Sequence, residues 1–202
     1  MKTITYRAVL LPIFLLAIFT SMSYGQQYEQ LERIGKYESI PNDKGIIYGN
    51  FIQRLGFTSG GFQQDIRVIN LDSGEIFTFS VKPAIKSSKE NPFIYFIKAG
   101  RYAILNYQWI ASKWYGGKIF VEPIYKNRVI ELTSQSEQDD HTIANARYTF
   151  TVSPNTVNYV GTWHFDNENV AFTTDKESID KKILSSNKKK FDFDRAVIAL
   201  PR

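Results

Sequence analysis

The stretch RYTFTVSPNTVNYVGTWHF at residues 147–165 determines the fold class. Apolar and polar residues alternate over 147–152, so that Tyr148, Phe150 and Val152 share one predicted face. This period of two is typical of a strand with one face in the core. Ser153-Pro154-Asn155 follows as a turn, because proline presets the φ angle that a turn requires. The stretch therefore predicts two strands joined by a tight turn.

Two further strands carry a similar alternation. Over 156–165, Gly161 interrupts the pattern and leaves room for a bulge or a close approach. The residues predicted to share a face in this strand are Val157, Tyr159, Trp163 and Phe165. In 101–109 they are Ala103, Leu105, Tyr107 and Trp109. One-sided strands of this kind predict antiparallel sheets with one dry face.

Short apolar segments between turn residues extend the pattern over most of the chain. The other predicted strands are 46–53, 65–71, 75–81, 93–98, 118–122, 128–133 and 169–173. Asp72-Ser73-Gly74 and Ala99-Gly100 stand where tight turns are expected. We therefore expect an all-β, antiparallel sandwich of seven to nine strands over residues 45–173. Its predicted core includes Phe77, Phe79, Phe96, Tyr102, Leu105, Phe120, Phe150, Val152, Tyr159 and Trp163.

The segments outside the sandwich have distinct characters. Residues 1–25 combine a basic start, an apolar run and small residues before Gln26, which predicts a signal peptide cleaved near Gly25. The segment 26–44 is polar and is predicted to be a lead-in. Residues 174–202 are expected to form a short helix and a tail, with Asp175 as the N-cap. The helix face is predicted to hold Ile179, Ile183 and Leu184.

Composition limits the classes of function. The chain has no cysteine, which excludes a disulfide framework and a lipid anchor on an N-terminal cysteine. Of 25 basic residues two lie in the leader, whereas all 20 acidic residues follow it, which leaves a mature net charge of about +3. So small a charge does not indicate nucleic-acid binding. No second apolar run follows the leader, so we expect an exported chain without a transmembrane anchor, in the periplasm or outside the cell.

Residue types that carry catalysis or bind metals show no specific pattern. His141 lies in the acidic loop 134–146, without the spacing of a metal site, and is interpreted as a solvated residue. His164 is out of phase with Trp163 and is expected on an outer face. The stretch 56–60 has Thr58 where a nucleophile elbow would carry serine. The run 188–190, KKK, is followed by acidic residues and is interpreted as solvated. We therefore predict no catalytic residues, no metal site and no cofactor.

An aromatic cluster near 110–117 is the one feature that favours a binding site. Trp114 and Tyr115 precede Gly116-Gly117 and fall outside the alternation of the preceding strand, and Lys113 adds a polar contact. Exposed clustered rings mark contact surfaces, so these three residues are the predicted binding residues. The alternative is that the rings anchor the loop to the core. We expect Trp114→Ala to weaken binding and to leave stability nearly unchanged.

Two segments resemble exported bacterial domains of unknown function. Residues 92–104, PFIYFIKAGRYAI, resemble the "apolar strand, small-Gly-x-Tyr, apolar strand" hairpin of prealbumin-like sandwich domains. Residues 150–161, FTVSPNTVNYVG, are similar to the "Phe-x-Val-x-Pro-Gly-x-x-x-Tyr-Ile-Gly" hairpin of those exported domains, with Asn155 in place of the usual glycine. The leader ending Ser-Tyr-Gly-Gln looks like a Bacteroidetes-type signal. The resemblance implies a prealbumin-like or Ig-like β-sandwich and no catalytic residues.

Three classes of function are compatible with these patterns. The first is a non-catalytic binding or assembly module of the bacterial cell envelope, with another envelope protein or a polysaccharide as partner. The second is a carbohydrate-active enzyme, which needs two carboxylates in an open cleft. The third is a structural envelope component, which needs a long unprotected edge strand.

Overall fold

A computed structural model describes residues 28–34, 39–52, 63–82, 89–113, 116–123, 130–131, 147–165, 170–186 and 191–202. These ranges are mostly strand and contain one short helix, α1 (Lys176–Ser186). The strands are β1 (Glu29–Gln30), β2 (Glu32–Arg33), β3 (Lys44–Ile52), β4 (Gln64–Asn70), β5 (Ile76–Lys82), β6 (Glu90–Lys98), β7 (Gly100–Lys113), β8 (Gly116–Pro123), β9 (Ile130–Glu131), β10 (Arg147–Val152), β11 (Val157–His164), β12 (Ala171–Thr173) and β13 (Val197–Ile198). The all-β class and the C-terminal helix are confirmed.

The strands form two sheets. Sheet A has the order β1-β5-β4-β7-β8-β9, with β10 also beside β7, and sheet B has the order β12-β11-β3-β6-β2, with β13 also beside β11. The prediction of purely antiparallel sheets is wrong, because β3 and β11, β11 and β13, and β1 and β5 pair in parallel. Each of these pairs joins strands far apart in the sequence. No tight turn links them, so their relative direction is not restricted to antiparallel.

Only one of the three short turns closes a hairpin. At Asp72-Ser73-Gly74 the chain turns from β4 into its antiparallel neighbour β5, with the Gly74 N–H donating to the Asn70 carbonyl at 2.8 Å. At Ala99-Gly100 and at 153–155 the predicted hairpins are wrong. In both places one strand belongs to one sheet and the next strand to the other. These turns therefore carry the chain across the core, and Asn155 takes the left-handed conformation expected of it, with φ of 54°.

One core lies between the two sheets and is rich in aromatic rings. Trp163 of β11 is fully buried and packs edge-on against Phe79, Phe93 and Phe172. The cluster contains residues from both sheets, among them Ile66, Phe77, Tyr102 and Phe150 from sheet A and Ile47, Phe51, Tyr95 and Val160 from sheet B. Of the ten predicted core residues nine are buried, and Phe120 is half-buried against this cluster.

The outer faces of the sheets carry two smaller apolar clusters. Helix α1 covers part of sheet B, where Ile179 and Ile183 pack with Tyr48, Phe96 and Tyr159. The Tyr48 hydroxyl donates to the Asp180 carboxylate at 2.9 Å and so fixes the helix on the sheet. On sheet A the outer cluster consists of Ile69, Ile76, Ala103 and Leu105, packed with Tyr28 and Leu71.

Bulges overturn two of the predicted faces. In β11 the pairing register shifts between Tyr159 and Thr162, so Tyr159 faces helix α1 whereas Trp163 faces the other sheet. In β7 the register shifts beside Leu105, so Leu105 faces outward and Tyr107 inward. The extra residue of a bulge reverses the alternation beyond it. In β10 the register shifts between Arg147 and Thr149, where Tyr148 has a φ of 58°, and beyond it Phe150 and Val152 both lie in the shared core as predicted.

Segments from both ends of the described chain close the sides of the core. Strands β1 and β2, in the predicted lead-in, pair with β5 of sheet A and β6 of sheet B, and Leu31 between them is buried in the shared core. At the opposite side, the Ala199 N–H donates to the Tyr159 carbonyl of sheet B, and the Arg202 N–H donates to the Thr149 carbonyl of sheet A. The lead-in is thus not merely polar: it contains two short strands and a core residue.

Candidate functional site

The predicted binding residues lie at the edge of the described chain. Trp114 and Tyr115 are outside the described residues, and Lys113 belongs to β7 without a description of its side chain. Their role stays a prediction. Their neighbour Trp109 is buried and stacks on Phe120, with 4.4 Å between the ring centroids. This end of β7 and β8 is thus anchored by a stacked aromatic pair.

The other residues singled out from the sequence fall in two groups. The acidic loop with His141, the stretch 56–61 and the run 188–190 all lie outside the described residues. His164 lies on the outer face of sheet B as expected, with its Nε2 atom 2.7 Å from the Thr173 hydroxyl. Across the described ranges, no three histidine or acidic side chains are grouped closely enough to hold a metal ion. Nor does any helix in those ranges have the length and apolar character needed to cross a membrane.

A groove of about 440 Å³ lies where β1 and β2 cross from one sheet to the other. It is lined by buried residues, among them Leu31, Phe77 and Phe96, and by charged residues, which we call the rim charges. The rim charges are already paired within the protein. Lys98 lies 2.9 Å from Glu75, and Lys44 lies 3.4 Å from Glu32. Exposed pairs of this kind contribute little stability. The Lys44–Glu32 pair links β2 to β3 of the same sheet.

The outer face of sheet A presents a more distinctive surface, which we call the polar grid. Its six side chains stand in two rows across β5, β4 and β7: Ser80, Asp65 and Gln108 in one row, and Thr78, Arg67 and Asn106 in the other. Every position of the grid is polar, whereas the rest of this face, around Ile69 and Leu105, is apolar. The bulge at Leu105 produces this arrangement, because it turns Asn106 and Gln108 outward beside Asp65 and Arg67.

Arg67 at the centre of the grid is held on two sides. Its guanidinium lies 3.8 Å from the centroid of the Tyr28 ring, and its Nη2 atom donates to the Gln108 side-chain oxygen at 2.8 Å. Stacking on an aromatic ring and a side-chain hydrogen bond both restrict the rotamers of arginine. The grid therefore presents a guanidinium in a defined orientation.

Two buried polar atoms on neighbouring residues of the grid have no hydrogen-bond partner among the described residues. These are Nε of Arg67 and Oδ1 of Asn106, both buried, on residues directly opposite each other in β4 and β7. Asn106 is only 4% exposed. A buried polar atom without a partner costs about 1–3 kcal/mol, so two on adjacent strands require a structural or functional explanation.

Partial burial also affects the acidic member of the grid. Burial raises the pKa of the Asp65 carboxyl, against the opposing effects of the hydrogen bond from Gln63 and the positive charge of Arg67. The Gln63 side chain donates to this carboxylate at 2.8 Å. A group whose charged form is partly desolvated interacts more strongly with a polar ligand than a solvated one does. The grid is thus a partly dry, hydrogen-bonding surface.

The sequence contains part of the signal for this surface. The alternation DIRVI over 65–69 indicates that Asp65 and Arg67 face away from the core. The alternation of 101–109 likewise places Asn106 and Gln108 on the face opposite Tyr107 and Trp109. Which residues of β4 they stand beside depends on the pairing register, which the bulge shifts and the sequence does not indicate. The missing partners of Nε and Oδ1 have no sequence signal.

Comparisons with known proteins leave the family open. No protein-family model matches the chain, and no curated protein matches it. Among solved structures, a leucine-rich repeat protein from Bacteroides thetaiotaomicron is similar to 73% of this chain, with 12% sequence identity and a TM-score of 0.35. The similar region spans 16% of that protein.

Proposed function

We propose that this chain is an exported, non-catalytic binding or assembly module of a bacterial cell envelope, framed by a prealbumin-like β-sandwich. Two observations support the frame: the sheets share one core, and the chain crosses between them at Ala99-Gly100 and at 153–155. The basic and apolar leader supports export, with release into the periplasm or outside the cell after cleavage near Gly25.

The polar grid is the observation on which the binding function rests. Six polar side chains on three paired strands form a surface whose shape the sheet defines, and two of their buried atoms lack partners among the described residues. Ligand sites combine a rigid support with a few precisely placed polar groups. What supports a binding role for the grid is that two such atoms belong to directly opposite residues, beside a guanidinium held in a fixed orientation.

Co-sedimentation with cell-envelope fragments tests this function. The purified segment 26–202 is mixed with envelope fragments of a Bacteroidetes bacterium and compared with the double variant Asp65→Ala/Gln108→Ala. The control is Glu177→Ala/Lys181→Ala, which removes an exposed ion pair from helix α1. We expect the native segment and the control to sediment with the fragments, and the grid variant to bind at least about tenfold more weakly.

Two results would contradict the proposal. Equal sedimentation of all three proteins, or none by any of them, would show that the grid is not a binding surface for the envelope. Soluble sugar released from the fragments in proportion to time would identify an enzyme instead. Matching thermal unfolding curves for the three proteins ensure that a loss of binding does not come from a loss of fold.

A further inference from the structure

We infer that the polar grid binds a neutral polysaccharide through adjacent hydroxyl groups of a sugar ring. This inference rests on the proposed binding function and names its ligand class. It is carried by the two unpartnered atoms, by the charge balance around them and by the absence of apolar residues from the grid.

The chemistry of the two atoms defines what a ligand must offer. Nε of Arg67 carries a hydrogen and only donates, whereas Oδ1 of Asn106 only accepts. Their residues are direct cross-strand partners, and side chains of such partners stand about 5 Å apart. The ligand must therefore present an acceptor and a donor side by side. Hydroxyl groups on neighbouring ring carbons do so, because each hydroxyl both donates and accepts.

The charges of the grid favour a neutral ligand. Asp65 and Arg67 lie two residues apart on the same face of β4, so their charges oppose each other. A carboxylate or phosphate that approached Arg67 would meet the Asp65 carboxylate beside it, and like charges in a partly dry surface repel strongly. A sugar hydroxyl has no such conflict and gains hydrogen bonds to a charged group on either side.

The composition of the grid favours a sugar over a protein partner. Its six residues are serine, threonine, aspartate, arginine, asparagine and glutamine, with no apolar side chain among them. The centre of a protein–protein interface is more apolar than its rim and depends on a few buried aromatic or aliphatic anchors. The Tyr28 ring, which lies beside the grid, already has the Arg67 guanidinium on one face.

The grid is also organised before any ligand binds. Tyr28 and Gln108 hold Arg67 in place. Asn106 is buried, and Asp65, Arg67 and Gln108 are half-buried. Side chains fixed in advance lose little rotamer freedom on binding. Such a surface can bind a polymer through several weak, directional hydrogen bonds.

Affinity electrophoresis with neutral polysaccharides tests the inference. The segment 26–202 is run in native gels that contain laminarin, yeast mannan, a galactan or dextran, and its retardation is compared with that in plain gels. The test variants are Asn106→Leu and Arg67→Met, which keep side-chain size and remove the two atoms. Asn50→Leu is the matched control for Asn106→Leu. Asn50 is 2% exposed and its Oδ1 also lacks a partner among the described residues, whereas its position in sheet B is outside the grid. Arg195→Met, at an exposed arginine, is the control for Arg67.

We expect at least one polysaccharide to retard the native segment and both controls. The apparent dissociation constant of both grid variants should rise at least about tenfold. Asn106→Leu should also cost little stability, since the amide oxygen that it removes has no partner among the described residues. Retardation that persists in Asn106→Leu and Arg67→Met would overturn the inference.

The outcome separates this inference from the proposed function. If no polysaccharide retards the protein, and sedimentation with envelope fragments still depends on the grid, the grid binds another class of ligand and the neutral-sugar inference is wrong. If sedimentation is also independent of the grid, the proposed function fails with it.

Discussion

Gly161, at the bulge of β11, should tolerate a side chain poorly. Its φ angle is +88°, and a Cβ atom there would lie 2.5 Å from the Leu200 side chain and 2.9 Å from the Thr173 backbone oxygen. Gly74 in the β4–β5 turn has a similar φ of +74°, but a Cβ atom there would meet nothing within 4 Å. The two glycines therefore both have a positive φ angle and differ in the space around them.

The expected cost of alanine follows from this difference. A left-handed backbone conformation destabilises a residue with a Cβ atom by about 1–2 kcal/mol. Alanine also lowers the conformational entropy of the unfolded chain relative to glycine, which stabilises the fold by about 0.4–1 kcal/mol. Gly74→Ala should thus lower the free energy of unfolding by about 1 kcal/mol. Gly161→Ala carries the same cost and adds overpacking of about 1–3 kcal/mol, because the Thr173 backbone cannot turn aside as a flexible side chain would. We expect a total of about 2–4 kcal/mol for Gly161→Ala.

Urea unfolding of the two variants and the native protein, followed by tryptophan fluorescence, measures both costs. Trp163 lies two residues from Gly161 in the shared core and reports directly on this region. Equal costs for the two substitutions would refute the close approach of β12 and Leu200 to the bulge. A large cost at Gly74 would refute the assignment of open space around the turn.

Two further predictions concern buried aromatic residues. Trp163→Ala should lower the free energy of unfolding by about 3–5 kcal/mol, since its ring is fully buried among other rings; an unchanged melting temperature would show that it is not in the core. Burial raises the pKa of Tyr102 to about 12, above its ordinary value of 10.0. The neutral Tyr102 hydroxyl therefore stabilises the fold fully below pH 10, and this stabilisation is lost as the pH rises through 12. Between pH 10 and 12 the free energy of unfolding of Tyr102→Phe should therefore fall by up to about 2–3 kcal/mol less than that of the native protein, as measured by urea titrations. Parallel pH profiles for the two proteins would contradict this prediction.

Local features of the chain could be predicted from the sequence, and pairings at a distance could not. The turn at Asp72-Ser73-Gly74 closes a hairpin as expected, because both strands of the hairpin are adjacent in the chain. The turn at 153–155 is equally tight, and its strands belong to different sheets. The residues of the turn determine its backbone angles, but they do not determine which strand each flanking strand pairs with. That choice depends on the shared core, which brings together residues from all parts of the chain.

The bulges account for most of the remaining differences. Gly161 indicated a bulge in β11, since a glycine within a strand often marks one. Leu105 gave no such indication in β7, although the extra residue there decides which side chains form the polar grid. A strand pattern can predict which residues alternate, but one inserted residue exchanges the faces beyond it. The grid could therefore be recognised only with the pairing of β4 and β7 known.

The parallel pairing of β3 with β11 has a consequence for the order of folding. β3 lies in the middle of sheet B, and one of its neighbours there comes from much later in the chain: the Asn158 side chain donates to the Ile46 carbonyl, 112 residues away in sequence. Contacts over such separations close large loops of disordered chain, and proteins dominated by them fold in milliseconds to seconds rather than microseconds. Sheet B cannot be completed until β11 has left the ribosome. For most of its synthesis the chain therefore remains incompletely folded, which is the condition in which a polypeptide can still be threaded through a narrow translocation channel.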